Sequence, residues 1–206
     1  MARVAVMLDG GWVLKKLYLS LGKKHPEAAD VFSFAHKCIE SPEELFRIYF
    51  YNCLPSSEKR HHPISKKFID FSLTDASRRG KTLFSNLAPL EYIAFRKGTL
   101  KFEGWGLTEA AVQEFIKGSL RTWGPEDIQP IFKQKEIDMK IGLDVAWLAS
   151  KRIVERIILV TGDTDFIPAM KFARREGVQV VYVPLGGFVL PELAHHADFI
   201  RPVKFP

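Results

Sequence analysis

Short runs of apolar and β-branched residues alternate with segments of helical periodicity, and this alternation is the feature that most limits the fold of the chain. Buried strands are predicted from four runs: residues 3–8 (RVAVML), 44–54 (ELFRIYFYNCL), 156–162 (RIILVTG) and 178–186 (VQVVYVPLG). Helices are predicted at residues 13–21, 136–151, 165–177 and 190–198. Strands that alternate with helices indicate an α/β fold with a mostly parallel central sheet and helices on both faces.

The middle of the chain has weaker signals. Residues 55–82 are basic and irregular, and residues 91–102 (EYIAFRKGTLKF) predict a strand that turns at Gly98 into a short partner strand. Residues 103–127 are rich in glycine, which predicts a loop or a broken helix. For 206 residues we expect one domain over residues 1–206, with a basic, less regular insertion around residues 55–127.

The positive charge of the chain is concentrated in that middle part. The net charge is +6, and residues 58–101 hold ten basic and four acidic residues, a difference of +6, so the remainder is balanced. This distribution favours a polyanionic partner, with a solvated basic surface that has no dedicated ligand as the alternative.

The cysteines and the apolar runs bear on the compartment. Cys38 and Cys53 have no metal-ligand spacing, which favours free thiols in a reducing compartment, although one disulfide stays open. The sequence shows no signal-peptide pattern and no apolar run long enough to span a bilayer. We therefore expect a soluble, cytoplasmic protein without a membrane partner. The sequence leaves open whether it forms a homo-oligomer.

Two of the predicted strands end in aspartates. Asp9 follows VAVML and Asp163 follows ILVTG, and Asp165 lies two residues further on. Because ligands of open parallel sheets bind beyond the carboxyl ends of the strands, we expect these acids at one edge of the sheet. Taken singly, each acid has a structural explanation as well, since an aspartate commonly caps a turn or a helix.

The helix predicted after residue 136 carries two more acids. With Ile141 at zero and about 100° per residue, Asp138 lies near 60° and Asp144 near −60°, so both border the apolar stripe. Asp138 is also at the helix start, where the helix dipole favours negative charge, and Asp144 could pair with an arginine or a lysine.

Taken together, Asp9, Asp138, Asp163 and Asp165 form a set of carboxylates whose mutual repulsion in a partly desolvated cleft would cost several kcal/mol unless a cation neutralised it. Oxygen-only ligands suit Mg²⁺ or Mn²⁺ much better than zinc. A hard divalent cation beside a basic surface indicates phosphodiester chemistry.

Three segments resemble the NYN domain, the LabA-like branch of the PIN-like nucleases: VAVMLDGGW (residues 4–12), KEIDMKIGLDVAWLA (135–149) and RIILVTGDTDFIPAMKFARREGVQVVYVP (156–184). They are similar to a strand ending in D-G-x-N, a helix opening with K-G-V-D, and an [ST]-G-D-x-D-F motif. The resemblance implies a PIN-like, Rossmannoid fold and metal-dependent RNA cleavage. The chain departs from the pattern at Trp12, where the family has Asn, and at Glu136, where it has Gly.

Matched residue by residue, the resemblance makes Asp9, Asp138, Asp163 and Asp165 the catalytic, metal-binding acids, with Asp144 as a less certain member. It implies that the Thr161 hydroxyl supports the acidic turn. Trp12 could stack on a base or belong to the core. The residues expected to hold the RNA backbone are Lys66, Lys67, Arg78, Arg79, Lys81, Arg96 and Lys97.

The sequence thus predicts a Mg²⁺- or Mn²⁺-dependent ribonuclease of PIN-like α/β fold. One alternative is a non-catalytic RNA-binding or regulatory module with the same fold, which the Trp12 departure motivates. Another is a Toprim-like phosphotransfer domain, because GDTD also fits a D-x-D at a strand end. Toprim domains would have Glu after the first strand, and Asp9 argues against that alternative.

Overall fold

A computed structural model describes residues 1–119 and 121–206, and it confirms the α/β fold with a mostly parallel central sheet. Within these residues the chain forms nine strands: β1 (Arg3–Asp9), β2 (Glu44–Cys53), β3 (Lys59–His61), β4 (Phe68–Asp70), β5 (Ile93–Leu107), β6 (Ile128–Lys135), β7 (Arg156–Val160), β8 (Gln179–Tyr182) and β9 (Phe199–Ile200).

Seven α-helices and three short 3₁₀ turns complete the described secondary structure. The helices are α1 (Gly10–Ser20), α2 (Ala28–Lys37), α3 (Asp75–Leu87), α4 (Glu109–Ile116), α5 (Ile137–Ser150), α6 (Ile167–Arg175) and α7 (Pro191–His195). The 3₁₀ turns are Phe71–Leu73, Pro125–Asp127 and Thr164–Phe166. None of the described helices is long and apolar enough to cross a bilayer.

Seven strands form one sheet in the order β6-β5-β2-β1-β7-β8-β9, and β3 pairs with β4 in a separate antiparallel hairpin. Strand β1 is parallel to β2 and β7, and β7, β8 and β9 are also mutually parallel, whereas β6 runs antiparallel to β5. Every residue from Val4 to Leu8 in β1 is fully buried. A strand buried on both faces requires cover on both faces of the sheet, as its continuous apolar sequence predicts.

The chain divides into two compact units. The first unit comprises residues 1–52, 82–98 and 136–206, and the second comprises residues 53–81 and 99–135. The predicted single domain with an insertion at 55–127 stays a prediction, since a division by compactness does not decide how many domains the chain has.

The first unit has a core of alternate β1 residues packed with side chains of the flanking helices. Val4, Val6 and Leu8 lie in one buried cluster with Val13 and Leu17 of α1. The cluster also includes Val31 and Phe34 of α2, Leu83 and Leu87 of α3, and strand residues Ile158 and Val181. Spacing of three to four residues on the helices and two on the strands brings these side chains to one face.

A buried ion network lies where several strands of the first unit begin. Arg201 donates hydrogen bonds to the Cys38 carbonyl (2.6 Å) and to both carboxylate oxygens of Glu43 (2.8 and 2.9 Å). Arg156, the first residue of β7, also donates to Glu43, whose side chain is only 2% exposed. Burial alone would raise the pKa of Glu43, but the hydrogen bonds from Arg201, the Glu40 amide and Arg156 together hold it below its usual value.

The second unit has its own aromatic core. The Phe71 ring lies within 6.3 Å of the rings of Phe102, Trp105 and Phe132, centroid to centroid. The buried His62 ring packs on Trp105 at 5.0 Å. Edge-to-face and tilted ring pairs of this kind stabilise a small core beyond their apolar area.

Several predictions for the middle of the chain are wrong. Residues 93–107 form one strand rather than a strand that turns at Gly98, and Gly98 is buried within it. Glycine inside a strand can admit a close neighbour instead of forming a turn. The stretch predicted as a loop or broken helix, apart from residue 120, which lies outside the described residues, contains the end of β5 and all of α4. Helices α2 and α3 and strand β6 were not predicted.

Candidate active site

The carboxyl ends of β1 and β7 meet at one edge of the sheet, as their parallel pairing requires. Leu8 is in register with Val160, so Asp9 and Thr161 follow at the same level. The fully buried Thr161 hydroxyl donates to Asp9 Oδ2 (3.0 Å) and accepts from the Asp163 backbone N–H (3.1 Å). One hydroxyl group therefore connects the two strand ends and the acidic turn.

Asp9 and Asp163 both have capping roles in addition. Asp9 Oδ1 accepts the Trp12 backbone N–H at 3.4 Å and caps α1, and Asp163 Oδ1 accepts the Asp165 backbone N–H at 2.9 Å. Asp165 itself is exposed within the 3₁₀ turn that follows. Because a carboxylate has about four lone-pair positions, these contacts orient Asp9 and Asp163 and leave capacity to bind a further group.

The acids share one electrostatic environment. Burial raises the pKa of Asp9, and the charges of Asp163 and Asp138 raise it further, against the hydrogen bonds from Thr161 and Trp12. Asp138, an exposed residue in the first turn of α5, has a raised pKa because neighbouring atoms partly desolvate its carboxyl and because Asp163 and Asp165 repel its charge. Asp138 is thus close enough to feel the charges of Asp9, Asp163 and Asp165, which come from two other segments of the chain.

Asp144 has partners of its own. Its carboxylate accepts two hydrogen bonds from Arg96, at 2.7 and 3.3 Å, and a third from the Tyr51 hydroxyl at 2.8 Å. This two-pronged ion pair compensates the charge of Asp144, as the sequence allowed. It also engages Arg96, which was predicted to contact RNA and whose guanidinium lies 5.0 Å from the Tyr49 ring centroid.

Trp12 packs against the acidic turn. A methyl group at Gly162 would lie within 2.6 Å of three carbon atoms of the Trp12 ring, so the ring covers that glycine closely. The Lys16 ammonium lies 4.3 Å from the ring centroid. The Trp12 Nε1 atom is buried without a hydrogen-bond partner among the described residues. Trp12 therefore has a packing role here, and base stacking stays a prediction. Lys16 and Gly162 were not among the predicted site residues, because only their contacts with Trp12 distinguish them.

Glu136, the other departure from the family pattern, has a left-handed backbone with φ 74° directly before α5. Glycine adopts this conformation without strain, which gives a physical reason for the family's Gly at this position. The Glu136 carboxylate accepts a hydrogen bond from Lys140 at 2.7 Å, one helical turn later. Glu136 thus adopts, in this chain, a backbone conformation that glycine would adopt without strain.

The residues predicted to hold RNA are divided between the two units. Lys66 and Lys67 lie in the turn between β3 and β4, and the other positions of the second unit lie on α3: Arg78, Arg79 and Lys81. Arg96 and Lys97 belong to the first unit, on β5. All except Arg96 are exposed. Arg78 pairs with Asp75, so its charge is partly compensated.

The four acids fit a hard divalent cation by donor chemistry. They supply only carboxylate oxygens, the ligands that Mg²⁺ and Mn²⁺ prefer, and burial, with a further contribution from their mutual repulsion, raises the pKa values of Asp9 and Asp138. Among residues 1–119 and 121–206, no three His, Cys, Asp or Glu side chains are close enough to enclose an ion as they stand. Ion binding would therefore require side-chain adjustment at this edge of the sheet.

Comparisons with known proteins bear on the family and the fold of the chain. The family model of the NYN domain matches residues 107–200, a range that includes Asp138, Asp163 and Asp165 but not Asp9. No curated protein matches the sequence. A crystal structure of a protein of unknown function from Vibrio parahaemolyticus RIMD 2210633 is similar in fold, with a TM-score of 0.53 and 14% identity over 98% of this chain and 93% of that one. Residues 107–200 of the chain are therefore similar to the NYN domain, a family of the PIN-like nuclease superfamily.

Proposed function

We propose that this chain is a Mg²⁺- or Mn²⁺-dependent endoribonuclease of the cytoplasm that hydrolyses RNA phosphodiester bonds at Asp9, Asp138, Asp163 and Asp165. The observation that carries the proposal is the Thr161 hydroxyl, which connects Asp9 to the Asp163 turn at the sheet edge. Acids that only cap turns and helices would not need to come from three segments to the same edge of the sheet. Acids that bind a cation together would need to do so, because the cation offsets their repulsion.

The roles of the acids follow from their positions. Asp9 and Asp163 are oriented by hydrogen bonds and would hold the cation together with Asp138 on α5. When bound, a divalent cation polarises the scissile phosphate and favours ionisation of the attacking water. Asp165, exposed at the turn, would orient that water and accept its proton.

The exposed basic residues would bind the RNA backbone, and Arg96 is the exception. Its guanidinium is committed to Asp144, so we assign Arg96 and Asp144 to the support of α5 rather than to substrate. Because the remaining lysines and arginines would contact RNA phosphates, the affinity for RNA should decrease as the salt concentration rises.

The test is cleavage of single-stranded and structured RNA by purified protein with Mn²⁺, next to Asp163→Asn and Asp75→Asn variants. Asp75 is an exposed aspartate on α3 outside the acidic edge, and its replacement controls for the loss of one negative charge. We expect cleavage by the wild type and Asp75→Asn, and none by Asp163→Asn or in EDTA. Equal cleavage by the wild type and Asp163→Asn would contradict the proposal and indicate a contaminating nuclease.

Thermal unfolding with and without Mn²⁺ provides a readout that does not depend on activity. A ligand at about 100 times its Kd stabilises a folded protein by about 2.7 kcal/mol. The midpoint of the wild type should rise with Mn²⁺, and that of Asp163→Asn should rise much less. An equal rise in both would place the bound ion elsewhere.

A non-catalytic RNA-binding module is the second candidate, and the packing of Trp12 favours it. Where the family has a polar Asn, this chain has an indole held between Gly162 and Lys16. RNA binding by the wild type without cleavage, under the same conditions, would select this candidate.

A further inference from the structure

Lys16 of α1 extends towards the edge of the sheet that carries the candidate active site. Helix α1 begins directly after Asp9, and long side chains on a helix lean towards its N-terminus, which for α1 is the acidic edge. The Lys16 ammonium lies 4.3 Å from the centroid of the Trp12 ring, and the same ring covers Gly162 in the acidic turn. Lys16 and the acidic turn therefore contact one shared side chain.

The segment after β8 contacts the end of the Lys16 side chain as well. Leu159 of β7 is in register with Tyr182 of β8, so the two strands end at the same edge of the sheet. Gly186 follows β8 with φ 96°, and a methyl group there would lie 3.2 Å from Lys16 Cδ and 3.3 Å from Lys16 Nζ. Gly186 is exposed and has no side chain to cover the ammonium. The ammonium thus lies between the turns that follow β7 and β8.

No acid of the described chain compensates the charge of Lys16. Among residues 1–119 and 121–206, this half-buried lysine forms no ion pair with Asp or Glu. Its contact with the Trp12 ring contributes about 0.5 to 1 kcal/mol and holds the ammonium in place, but the positive charge stays. A cation that packing holds beside an acidic edge, without a carboxylate of its own, can bind an anion from outside the chain.

An RNA strand at this edge would be repelled by the acids. Each phosphate carries a negative charge, and only the scissile phosphate would be compensated by a cation bound to Asp9, Asp138 and Asp163. The next phosphate along the strand would lie near the same carboxylates without that compensation. A positive side chain at this edge, such as Lys16, would offset the repulsion.

We infer that Lys16 forms a phosphate-binding site in which its ammonium, held on the Trp12 ring, binds the RNA phosphate next to the scissile one. The inference rests on the proposed function and adds to it a residue that positions the strand. It also gives Trp12 a role in substrate binding, as the support of a lysine that contacts phosphate as a point charge.

Binding of a fluorescein-labelled oligo(U) RNA of about 12 nucleotides, measured by anisotropy in EDTA, tests the inference without cleavage. Lys16→Met removes the charge but keeps an unbranched side chain on the Trp12 ring. Its plot of log K against log salt should be less steep by about 0.7, the contribution of one phosphate contact on a single strand. At 0.1 M salt this corresponds to about fivefold weaker binding.

Two further variants control for charge and for structure. Lys15→Met removes the same charge from the adjacent, exposed position of α1 and should keep the salt dependence of the wild type. Lys16→Arg should restore most of the binding, because a guanidinium also stacks on aromatic rings and binds phosphate. Equal salt dependence of Lys16→Met and the wild type would overturn the inference. Equal reductions in Lys15→Met and Lys16→Met would overturn it too, since the charge would then act through the general field of the protein.

Cleavage assays separate this inference from the proposed function. With Mn²⁺, Lys16→Met should raise KM more than it lowers kcat, because a phosphate beside the scissile one is bound in the ground state and the transition state alike. A reduced salt dependence in Lys16→Met, with no RNA cleavage by the wild type, would support the phosphate-binding site and remove the ribonuclease. RNA cleavage by the wild type, with one salt dependence shared by both proteins, would do the reverse.

Discussion

Replacing Gly162 by alanine should destabilise the protein through one contact, with Trp12. The added methyl carbon would lie within 2.6 Å of three ring carbons, whereas carbon atoms in contact are normally about 3.5 to 4.0 Å apart. The ring, or the turn that carries Thr161 and Asp163, must therefore move by about 1 Å. Overpacking of this kind typically costs about 1 to 3 kcal/mol.

Two further terms determine the net effect. Gly162 does not have the left-handed backbone that only glycine adopts easily, so alanine is compatible with its conformation. Alanine has less backbone freedom than glycine in the unfolded chain, and this difference stabilises the folded protein by about 0.4 to 1 kcal/mol. In a Trp12→Ala background the collision is absent, and Gly162→Ala should become neutral or slightly stabilising. The coupling energy of the double-mutant cycle should therefore equal the collision, about 1 to 3 kcal/mol.

Urea unfolding of the four proteins measures this cycle, with Gly142→Ala as the control in both backgrounds. Gly142 lies within α5, and a methyl group there would have no neighbour within 4 Å. That control should stabilise the chain by about 0.5 to 1 kcal/mol, with or without Trp12. If Gly162→Ala cost the same in both backgrounds, within about 0.5 kcal/mol, the reasoning from the Trp12 contact would be refuted.

Two other predictions concern buried hydrogen bonds. Thr161→Val keeps the shape of a fully buried side chain but removes the hydroxyl that bonds to Asp9 Oδ2 and to the Asp163 amide, so it should cost about 1 to 3 kcal/mol in urea unfolding, whereas Thr161→Ser should cost much less. Glu43→Gln leaves the buried Arg201 with only the more exposed Glu40, at 3.3 Å, as a counter-charge, so it should cost about 3 kcal/mol at pH 7. Because the folded-state pKa of Glu43 is lowered, its contribution is complete above about pH 4.3 and is lost as the pH falls through the folded value. The difference between the two proteins should therefore shrink in acid, and a difference that is constant from pH 7 to pH 3 would contradict this assignment.

The positions of the parallel strand ends could be predicted from the local sequence pattern. A continuous apolar run identifies β1 and β7 as buried strands, and parallel pairing places their carboxyl ends at one edge. Asp9 and Asp163 could therefore be brought together from the sequence. The same periodicity placed Asp138 and Asp144 at the border of the buried face of α5 but could not separate their environments.

The different environments of Asp138 and Asp144 depend on contacts with residues that are distant in sequence. Asp144 meets Arg96 and Tyr51, which lie 48 and 93 residues away, and these partners compensate its charge. The pKa of Asp138 is instead raised, mainly by partial burial and further by the charges of Asp163 and Asp165. No local pattern encodes which of two acids on one helix receives an arginine.

The sequence by itself determined the α/β class, the acidic strand ends and the basic middle of the chain, because each follows from residue type and short-range periodicity. Tertiary structure decided the rest. It packed Trp12 on Gly162, joined Asp9 to Asp163 through Thr161, and placed the Lys16 ammonium on the Trp12 ring. Periods of 2 and 3.6 residues fix which side chains share a face, but only the assembled chain fixes what that face meets.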